Sequence, residues 1–194
     1  MDQILVEHGY KPERVTHTKH WNVRRVWHDG KPCIAKFISY LLLPEPDVQI
    51  NKLADRGYKM ERFVYSRVPD GWPIELVDSF RVKGQGYVII TTEYVASRWD
   101  DYKPSSAKDK KIAEQLTKQL HLLHALGVVH NDLERKNIML HPSQSKVAII
   151  DFEKSFKSRD ERKGSADFLK IVSSMGEHYN TYGIAVEMMS ILRA

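Results

Sequence analysis

The chain has little cysteine and no long apolar run. Cys33 is the only cysteine among 194 residues, which excludes an internal disulfide and a zinc site built from cysteines. The most apolar stretches, such as 40–43 and 87–90, are far shorter than the ~20 residues that cross a bilayer. The charged N-terminal stretch 1–15 lacks the apolar core of a signal peptide. We therefore expect a cytoplasmic protein with no membrane association.

What is present is the composition of an ordinary globular protein. Hydrophobic residues make up 42% and charged residues 28% of the chain, which excludes collagen-like, coiled-coil and disordered proteins. The net charge is +5, a value that mainly aids solubility and attracts phosphate-bearing partners only in a general way. Nucleic acid is therefore not expected as a direct ligand.

Strand-like segments dominate the first half of the chain. They lie at Val15, 23–27, 33–38, 74–82 and 87–95. The dipeptide Asp29-Gly30 predicts a hairpin between the second and third of them. Apolar residues at every fourth position over 59–68 predict one helix, separated from an earlier segment by Gly57. The first half therefore predicts an antiparallel sheet with one helix.

The second half changes to a helical period. Ser106 and Asp109 match a capping box, and the apolar stripe that follows ends at Gly127. That stripe consists of Ile112, Leu116, Leu120 and Leu123. Runs 137–140 and 146–150 predict a small hairpin, and helical patterns return beyond residue 164. The whole pattern predicts an α+β fold with a strand-rich lobe at 1–95, a linker at 96–104 and a helical lobe at 105–194.

Residues that carry chemistry cluster between positions 128 and 153. Asp132 and Asn137 are five positions apart, and Asp151 follows an apolar strand 14 positions later. A loop between a helix and a hairpin can bring these three side chains to one point. Phosphoryl transfer needs a carboxylate that orients the attacking hydroxyl and oxygen ligands that hold Mg²⁺ on the phosphates. We therefore predict that Asp132 is catalytic and that Asn137 and Asp151 bind metal.

The pattern His130-x-Asp132-x-x-x-x-Asn137, followed by an apolar strand and Asp151-Phe152, resembles the catalytic and metal-binding motifs of the protein-kinase-like superfamily. The resemblance implies a two-lobed fold with an antiparallel-sheet N-lobe and a minimal helical C-lobe, with ATP and Mg²⁺ as cofactors. Only 43 residues follow Asp151. This short C-lobe is similar to small atypical kinases, such as the kinase subunit of the tRNA-threonylcarbamoylation complex and short bacterial effector kinases.

The same resemblance implies residues that bind ATP. Lys36 would bind the α- and β-phosphates, and Glu61 would orient it, with Glu45 as the alternative. The residues implied to contact the adenine, or to guard the pocket behind it, are Ile34, Thr92, Glu93, Tyr94, Val95 and Met139. Asp167 matches the family's structural aspartate, which would hold the backbone of the loop around Asp132. A helix-capping role is the alternative for Asp167.

Several positions depart from the family's pattern. No Gly-x-Gly occurs in 15–22, where His17, Lys19 and His20 are the alternative phosphate contacts. Asn131 replaces the arginine that binds a phosphorylated activation loop in the family, so activation by phosphorylation is not expected.

Charged residues after Asp132 also differ. Glu134 stands where protein-serine kinases often have a lysine. Lys136 or Arg135 would then stabilise charge on the transferred phosphoryl group, and we take Lys136 as the catalytic cation.

Three interpretations of function follow. The first is an ATP- and Mg²⁺-dependent phosphotransferase of the atypical Ser/Thr protein kinase type, with nucleotide, a hydroxyl substrate and a protein complex as partners. The second is a small-molecule kinase of the choline or aminoglycoside type, because His130-Asn131-Asp132 and Asp151-Phe152-Glu153 also resemble choline and ethanolamine kinases. The third is a pseudokinase scaffold, because the glycine-rich loop is missing.

Overall fold

The computed structural model describes residues 1–13, 22–39, 48–68 and 72–193. The predicted strand at Val15, the basic turn with His17, Lys19 and His20, and the alternative Glu45 lie outside the described residues. The chain divides into two compact units. Unit 1 comprises Met1–Arg67 and Ile74–Glu93, and unit 2 comprises Val68–Pro73 and Tyr94–Ala194.

Unit 1 is an antiparallel sheet with two helices. Its elements are α1 (Asp2–Glu7), β1 (Lys11–Pro12), β2 (Val23–His28), β3 (Lys31–Ser39), α2 (Val48–Tyr65), β4 (Leu76–Val82) and β5 (Gly86–Thr92). The five strands are ordered β1-β2-β3-β5-β4, and each neighbouring pair is antiparallel. The α+β fold predicted from the sequence is confirmed.

The two faces of this sheet have different environments because side chains alternate along a strand. On one face, Ala35 of β3 and Ile90 of β5 pack in a core that includes Leu5 of α1, all fully buried. Tyr87 of β5 stacks on Tyr58 of α2, with ring centroids 4.1 Å apart. The short helix α1 and the edge strand β1 were not predicted from the sequence.

Gly57 does not end a helix, contrary to the sequence-based prediction. The helix α2 runs through it without interruption. A glycine inside a helix costs only about 1 kcal/mol relative to alanine. Burial of Tyr58, Met60 and Val64 outweighs that cost, since burying one large apolar side chain contributes about 1.5–3 kcal/mol.

Unit 2 is mainly helical. Its elements are α3 (Ser106–Ala125), β6 (Val128–Val129), β7 (Ile138–Leu140), β8 (Val147–Ile149), β9 (Phe156–Lys157), α4 (Glu161–Gly176) and α5 (Tyr182–Arg193). Strands β7 and β8 form the predicted hairpin, and β6 pairs with β9. The helix α5 packs against α3 and α4. The predicted apolar stripe of α3 is confirmed, because all four of its side chains are fully buried.

One predicted capping box and one predicted helix start are wrong. The helix α3 has Ser105 as its N-cap with no side-chain capping bond, and the side chain of Asp109 accepts a 2.6 Å hydrogen bond from the Tyr102 hydroxyl instead. The helix α4 begins before Gly164, with Asp160 as an N-cap that accepts from the backbone N–H of Arg162. Gly164 is inside α4, close to an imidazole of α3. Contacts with other elements, rather than local capping preferences, therefore decide which partner Asp109 has and where Gly164 lies in its helix.

No helix among the described residues has both the length and the apolar character needed to span a membrane.

Candidate active site

The loop that contains Asp132 begins at the end of α3. Gly127 ends this helix with a φ of +69°, the left-handed conformation that glycine adopts without strain, and its N–H donates to the carbonyl of His124 at 2.8 Å. The chain then forms β6 and enters the segment 130–137. The loop thus begins shortly after a helix whose apolar stripe is buried.

Asp167 of α4 holds the backbone at the start of the loop. Its carboxylate accepts hydrogen bonds from the N–H of His130 at 2.7 Å and of Asn131 at 2.9 Å, and the Nε2 of His124 lies 3.3 Å away. Burial raises the pKa of Asp167, but these donors outweigh burial and lower it overall. The predicted role of Asp167 is confirmed, and the helix-cap alternative is wrong because the residue lies in the interior of α4.

His130 joins the loop to the segment that follows β8. It is fully buried, its Nε2 lies 2.9 Å from the carbonyl oxygen of Ile150, and its Nδ1 accepts from the N–H of Asp132 at 3.4 Å. Burial lowers the pKa of the imidazole. A neutral ring with its proton on Nε2 satisfies both contacts. His130 therefore positions the loop through hydrogen bonds and contributes no charge.

Asp132 and Asn137 lie side by side. The amide Nδ2 of Asn137 donates to the carbonyl of Asp132 at 2.7 Å and to its Oδ2 at 3.2 Å. Both contacts engage the amide nitrogen, and this leaves the amide oxygen of Asn137 as the atom suited to a hard cation. Asn137 is 5% exposed, so its orientation is set by the fold.

Asp151 is placed beside Asn137 by the β7–β8 hairpin. Ile138 pairs with Ile149, and the N–H of Ile150 donates to the carbonyl of Asn137 at 3.0 Å. Asp151 itself has a φ of +67°, a conformation that costs a non-glycine residue about 1–2 kcal/mol. Strain of this kind persists where the surroundings impose it, often at functional sites. The structure therefore brings Asp132, Asn137 and Asp151 into one region of unit 2.

The donor set fits a magnesium ion. An amide oxygen and a carboxylate are the ligands that Mg²⁺ prefers, together with phosphate and water. Asn137 and Asp151 would hold such an ion, and Asp132 would bind the acceptor hydroxyl.

Two lysines lie near Asp132 and have different partners. The Nζ of Lys154 is 2.9 Å from Oδ2 of Asp132, whereas the Nζ of Lys136 is 2.8 Å from Oε2 of Glu134. Burial raises the pKa of Asp132, but the hydrogen bond and charge of Lys154, with smaller contributions from Lys136 and Asn137, lower it overall. The carboxylate therefore stays ionised at neutral pH.

Lys154 was missed by the sequence analysis. The only signal for it was a basic residue in the loop after Asp151, and it lies 22 positions from Asp132, a separation with no helical or strand period. Its contact could be found only from the tertiary structure.

Unit 1 contains the predicted lysine–glutamate pair. The Nζ of Lys36 in β3 lies 2.8 Å from Oε1 of Glu61 in α2. The Glu61 residue is 1% exposed, so the pair is largely removed from solvent. The structure thus brings together the two residues that the resemblance implied for phosphate binding.

The predicted adenine-contact residues lie on both units. In unit 1, Ile34 is half-buried on β3, and Thr92 ends β5, where its Oγ1 accepts from the N–H of Glu75 at 2.9 Å. The carboxylate of Glu93 forms an ion pair with Arg25, with Nε and Oε1 2.8 Å apart.

In unit 2, Tyr94 packs edge-on against His141, and burial raises the pKa of its hydroxyl to about 12. Val95 is 55% exposed, and Met139 is half-buried in the middle of β7. These positions do not test adenine binding.

Comparison with known proteins agrees with this architecture. Residues 89–182 match the model of the lipopolysaccharide kinase (Kdo/WaaP) family, a segment just under half of the chain. A stretch of 85 residues is 27% identical to the serine/threonine-protein kinase pim-2 of Danio rerio and covers 41% of this chain and 27% of that protein. A stretch of 55 residues is 38% identical to the probable serine/threonine-protein kinase fnkB of Dictyostelium discoideum and covers 28% of this chain and 10% of that protein.

The fold and these matches agree with the resemblance to the protein-kinase-like superfamily that the sequence motifs indicated. The family model and the curated relatives both support the prediction that the chain is a kinase. Its residues 89–182 are similar to the Kdo/WaaP branch, while the chain spans about a quarter or less of the curated relatives it matches.

Proposed function

We propose that the protein is an ATP- and Mg²⁺-dependent phosphotransferase that acts on a hydroxyl group. The observation that carries this proposal is the hydrogen bonding of Asn137 in unit 2. Its side-chain nitrogen donates to Asp132, and its backbone carbonyl accepts from the N–H of Ile150, the residue before Asp151. The carboxylate that we assign to catalysis and the two residues that we assign to metal binding thereby belong to one hydrogen-bonded set of loops.

Each residue has a distinct role in this proposal. Asp132 accepts a hydrogen bond from the attacking hydroxyl, orients it and takes its proton. Asn137 and Asp151 hold the metal ion, which neutralises charge on the phosphates. Lys36 binds the phosphates of ATP and is oriented by Glu61. Because Asp132 stays ionised, it is in the protonation state that this role requires.

The acceptor class is divided between two candidates. The description of the matching family names lipopolysaccharide, which favours a saccharide hydroxyl. The relatives are described as serine/threonine-protein kinases, which favours a protein hydroxyl. Transfer of labelled γ-phosphate from Mg²⁺-ATP to a panel of saccharides, amino alcohols, aminoglycosides and proteins separates these classes.

The control variants follow from the site. We expect Asp132→Asn to reduce transfer by about 10²–10⁴-fold, the usual contribution of acid–base catalysis, and Asp151→Asn to lower metal-dependent nucleotide binding as well. Asp160→Asn is the matched control, because Asp160 is an acidic residue of unit 2 whose side chain caps α4. Full transfer by Asp132→Asn would remove the proposed mechanism.

A pseudokinase scaffold predicts a different result. A nucleotide that binds the native state must raise its thermal stability by mass action. We expect Mg²⁺-ATP to raise the melting temperature of the wild type and to raise it less in Asp151→Asn. If no transfer is seen and the nucleotide produces no shift, the scaffold interpretation replaces the enzyme.

A further inference from the structure

Lys154 is held in place by the catalytic loop itself. Its carbonyl accepts a hydrogen bond from the side-chain amide of Asn131 at 3.3 Å. The next residue, Ser155, is fully buried and donates its hydroxyl to the carbonyl of His130 at 3.1 Å. Phe152, also fully buried, packs against the His130 ring with centroids 5.1 Å apart. The position of Lys154 is therefore tied to the loop that positions Asp132.

The ammonium group of Lys154 can bind an anion beside Asp132. Its Nζ lies 2.9 Å from Oδ2 of Asp132, and its side chain is 65% exposed. An ammonium has three N–H donors, so a single bond to Asp132 leaves two for an incoming oxygen. The side chain is thus anchored at one carboxylate oxygen and open to solvent.

Lys136 is less suited to this role. Its ammonium lies 2.8 Å from the carboxylate of Glu134. Its ion pair is therefore with Glu134 and not with Asp132. Lys154, in contrast, is paired with the carboxylate that would receive the acceptor hydroxyl.

We propose that Lys154 is a catalytic residue that contacts the phosphoryl group during transfer, a role that the sequence alone assigned to Lys136. This inference rests on the proposed phosphotransferase function. In the step, the acceptor oxygen forms a bond to the γ-phosphorus, the bond from that phosphorus to the β,γ-bridging oxygen breaks, and ADP leaves with the electron pair. The hydroxyl proton passes to Asp132. Lys154 donates to a γ-phosphoryl oxygen and stabilises the negative charge there.

The test compares four variants of the full chain: Lys154→Ala, Lys154→Arg, Lys136→Ala and Lys146→Ala. Lys146 is an exposed lysine of unit 2 just before β8 and serves as the matched control. We expect Lys154→Ala to lower kcat by about 10²–10³-fold, as removal of one preorganised donor does. Lys154→Arg should retain more activity, Lys136→Ala should lose less than Lys154→Ala, and Lys146→Ala should match the wild type.

A second measurement separates phosphoryl contact from a structural effect. Affinity for a non-hydrolysable Mg²⁺-ATP analogue should fall by about 10-fold in Lys154→Ala, as loss of one charged hydrogen bond predicts, while affinity for Mg²⁺-ADP stays unchanged. A merely structural lysine would change both affinities or neither.

Two results overturn the inference while the wild type is active. One is that Lys154→Ala equals Lys146→Ala in kcat and in the ratio of analogue to ADP affinity. The other is that Lys136→Ala loses more activity than Lys154→Ala. If the wild type neither transfers phosphate nor binds ATP, the proposed function itself fails, and the role of Lys154 fails with it.

Discussion

Replacement of the buried Asp167 by asparagine tests how the catalytic loop is held. The Asp167 residue is 1% exposed and accepts from two backbone N–H groups at 2.7 and 2.9 Å. Asparagine has nearly the same shape but removes the charge. One of its two terminal groups becomes an NH₂ that donates rather than accepts. At least one buried backbone N–H of the loop therefore loses its acceptor.

The magnitude follows from these contacts. A hydrogen bond to a charged group contributes about 1.5–3 kcal/mol, and a buried donor left without a partner costs about 1–3 kcal/mol. We expect Asp167→Asn to lower the free energy of unfolding by roughly 2–4 kcal/mol, a large fraction of the ~5–15 kcal/mol typical of a domain. Phosphoryl transfer should fall as well, because the loop that carries Asp132 is no longer held.

Urea unfolding followed by circular dichroism measures this effect. The matched control is Asp160→Asn at the start of the same helix, because aspartate and asparagine are equally good N-caps. Besides the capping bond, Asp160 accepts from the exposed guanidinium of Arg162, and an exposed ion pair contributes little. We expect the control to change the free energy of unfolding by less than about 0.5 kcal/mol. Equal effects of the two substitutions would refute the argument that the buried carboxylate holds the loop.

The same variant predicts a pH dependence. The folded protein lowers the pKa of Asp167 below its ordinary value of 3.8, so the stability that the carboxylate contributes is present above that value and is lost as pH falls through the lowered pKa. The difference in stability between wild type and Asp167→Asn should therefore close under strongly acidic conditions. A difference that remains constant would contradict the assignment.

Three further substitutions test local features by thermal unfolding. A Cβ atom at Gly183 would lie 2.3 Å from Oδ2 of the buried Asp109, so Gly183→Ala should destabilise the protein by about 1–3 kcal/mol, and an unchanged melting temperature would show that α5 can move away. The Tyr94 hydroxyl is buried without a hydrogen-bond partner among the described residues, so Tyr94→Phe should be neutral or stabilising by up to ~1 kcal/mol, and a clear loss would reveal a partner for the hydroxyl. Asn131 has a φ of +66°, so Asn131→Ala should cost about 1–2 kcal/mol and Asn131→Gly less; the reverse order would show that the backbone is not strained there.

Much of the local structure could be read from sequence because it depends on neighbours along the chain. The stripe of α3 repeats at a helical period, and burial of Leu116 and Leu120 follows from that period. The Asp29-Gly30 turn likewise predicts the β2–β3 hairpin.

The grouping of Asp132 and Asn137 could also be predicted, because a short loop limits their separation. The pairing of Lys36 with Glu61 is different, since it joins a strand to a helix 25 positions away. It was inferred only through the resemblance to a known family.

Errors in the sequence-based interpretation arose where distant contacts override local preference. Gly57 was expected to end a helix, but packing of its neighbours on the sheet stabilises the helix across it. Asp109 was expected to complete a capping box, but the hydroxyl of Tyr102 competes for its carboxylate. In both cases the local preference is worth about 1 kcal/mol, which is less than the packing or buried hydrogen bond that replaced it.

By itself, the sequence determined the class of fold and the order of the chemical groups, because hydrophobic period and motif spacing act over a few residues. Only the tertiary structure decided that Lys154 rather than Lys136 contacts Asp132. The reason is physical: an ion pair depends on the distance between two side chains, and that distance is set by the packing of Phe152 and Ser155 against the catalytic loop.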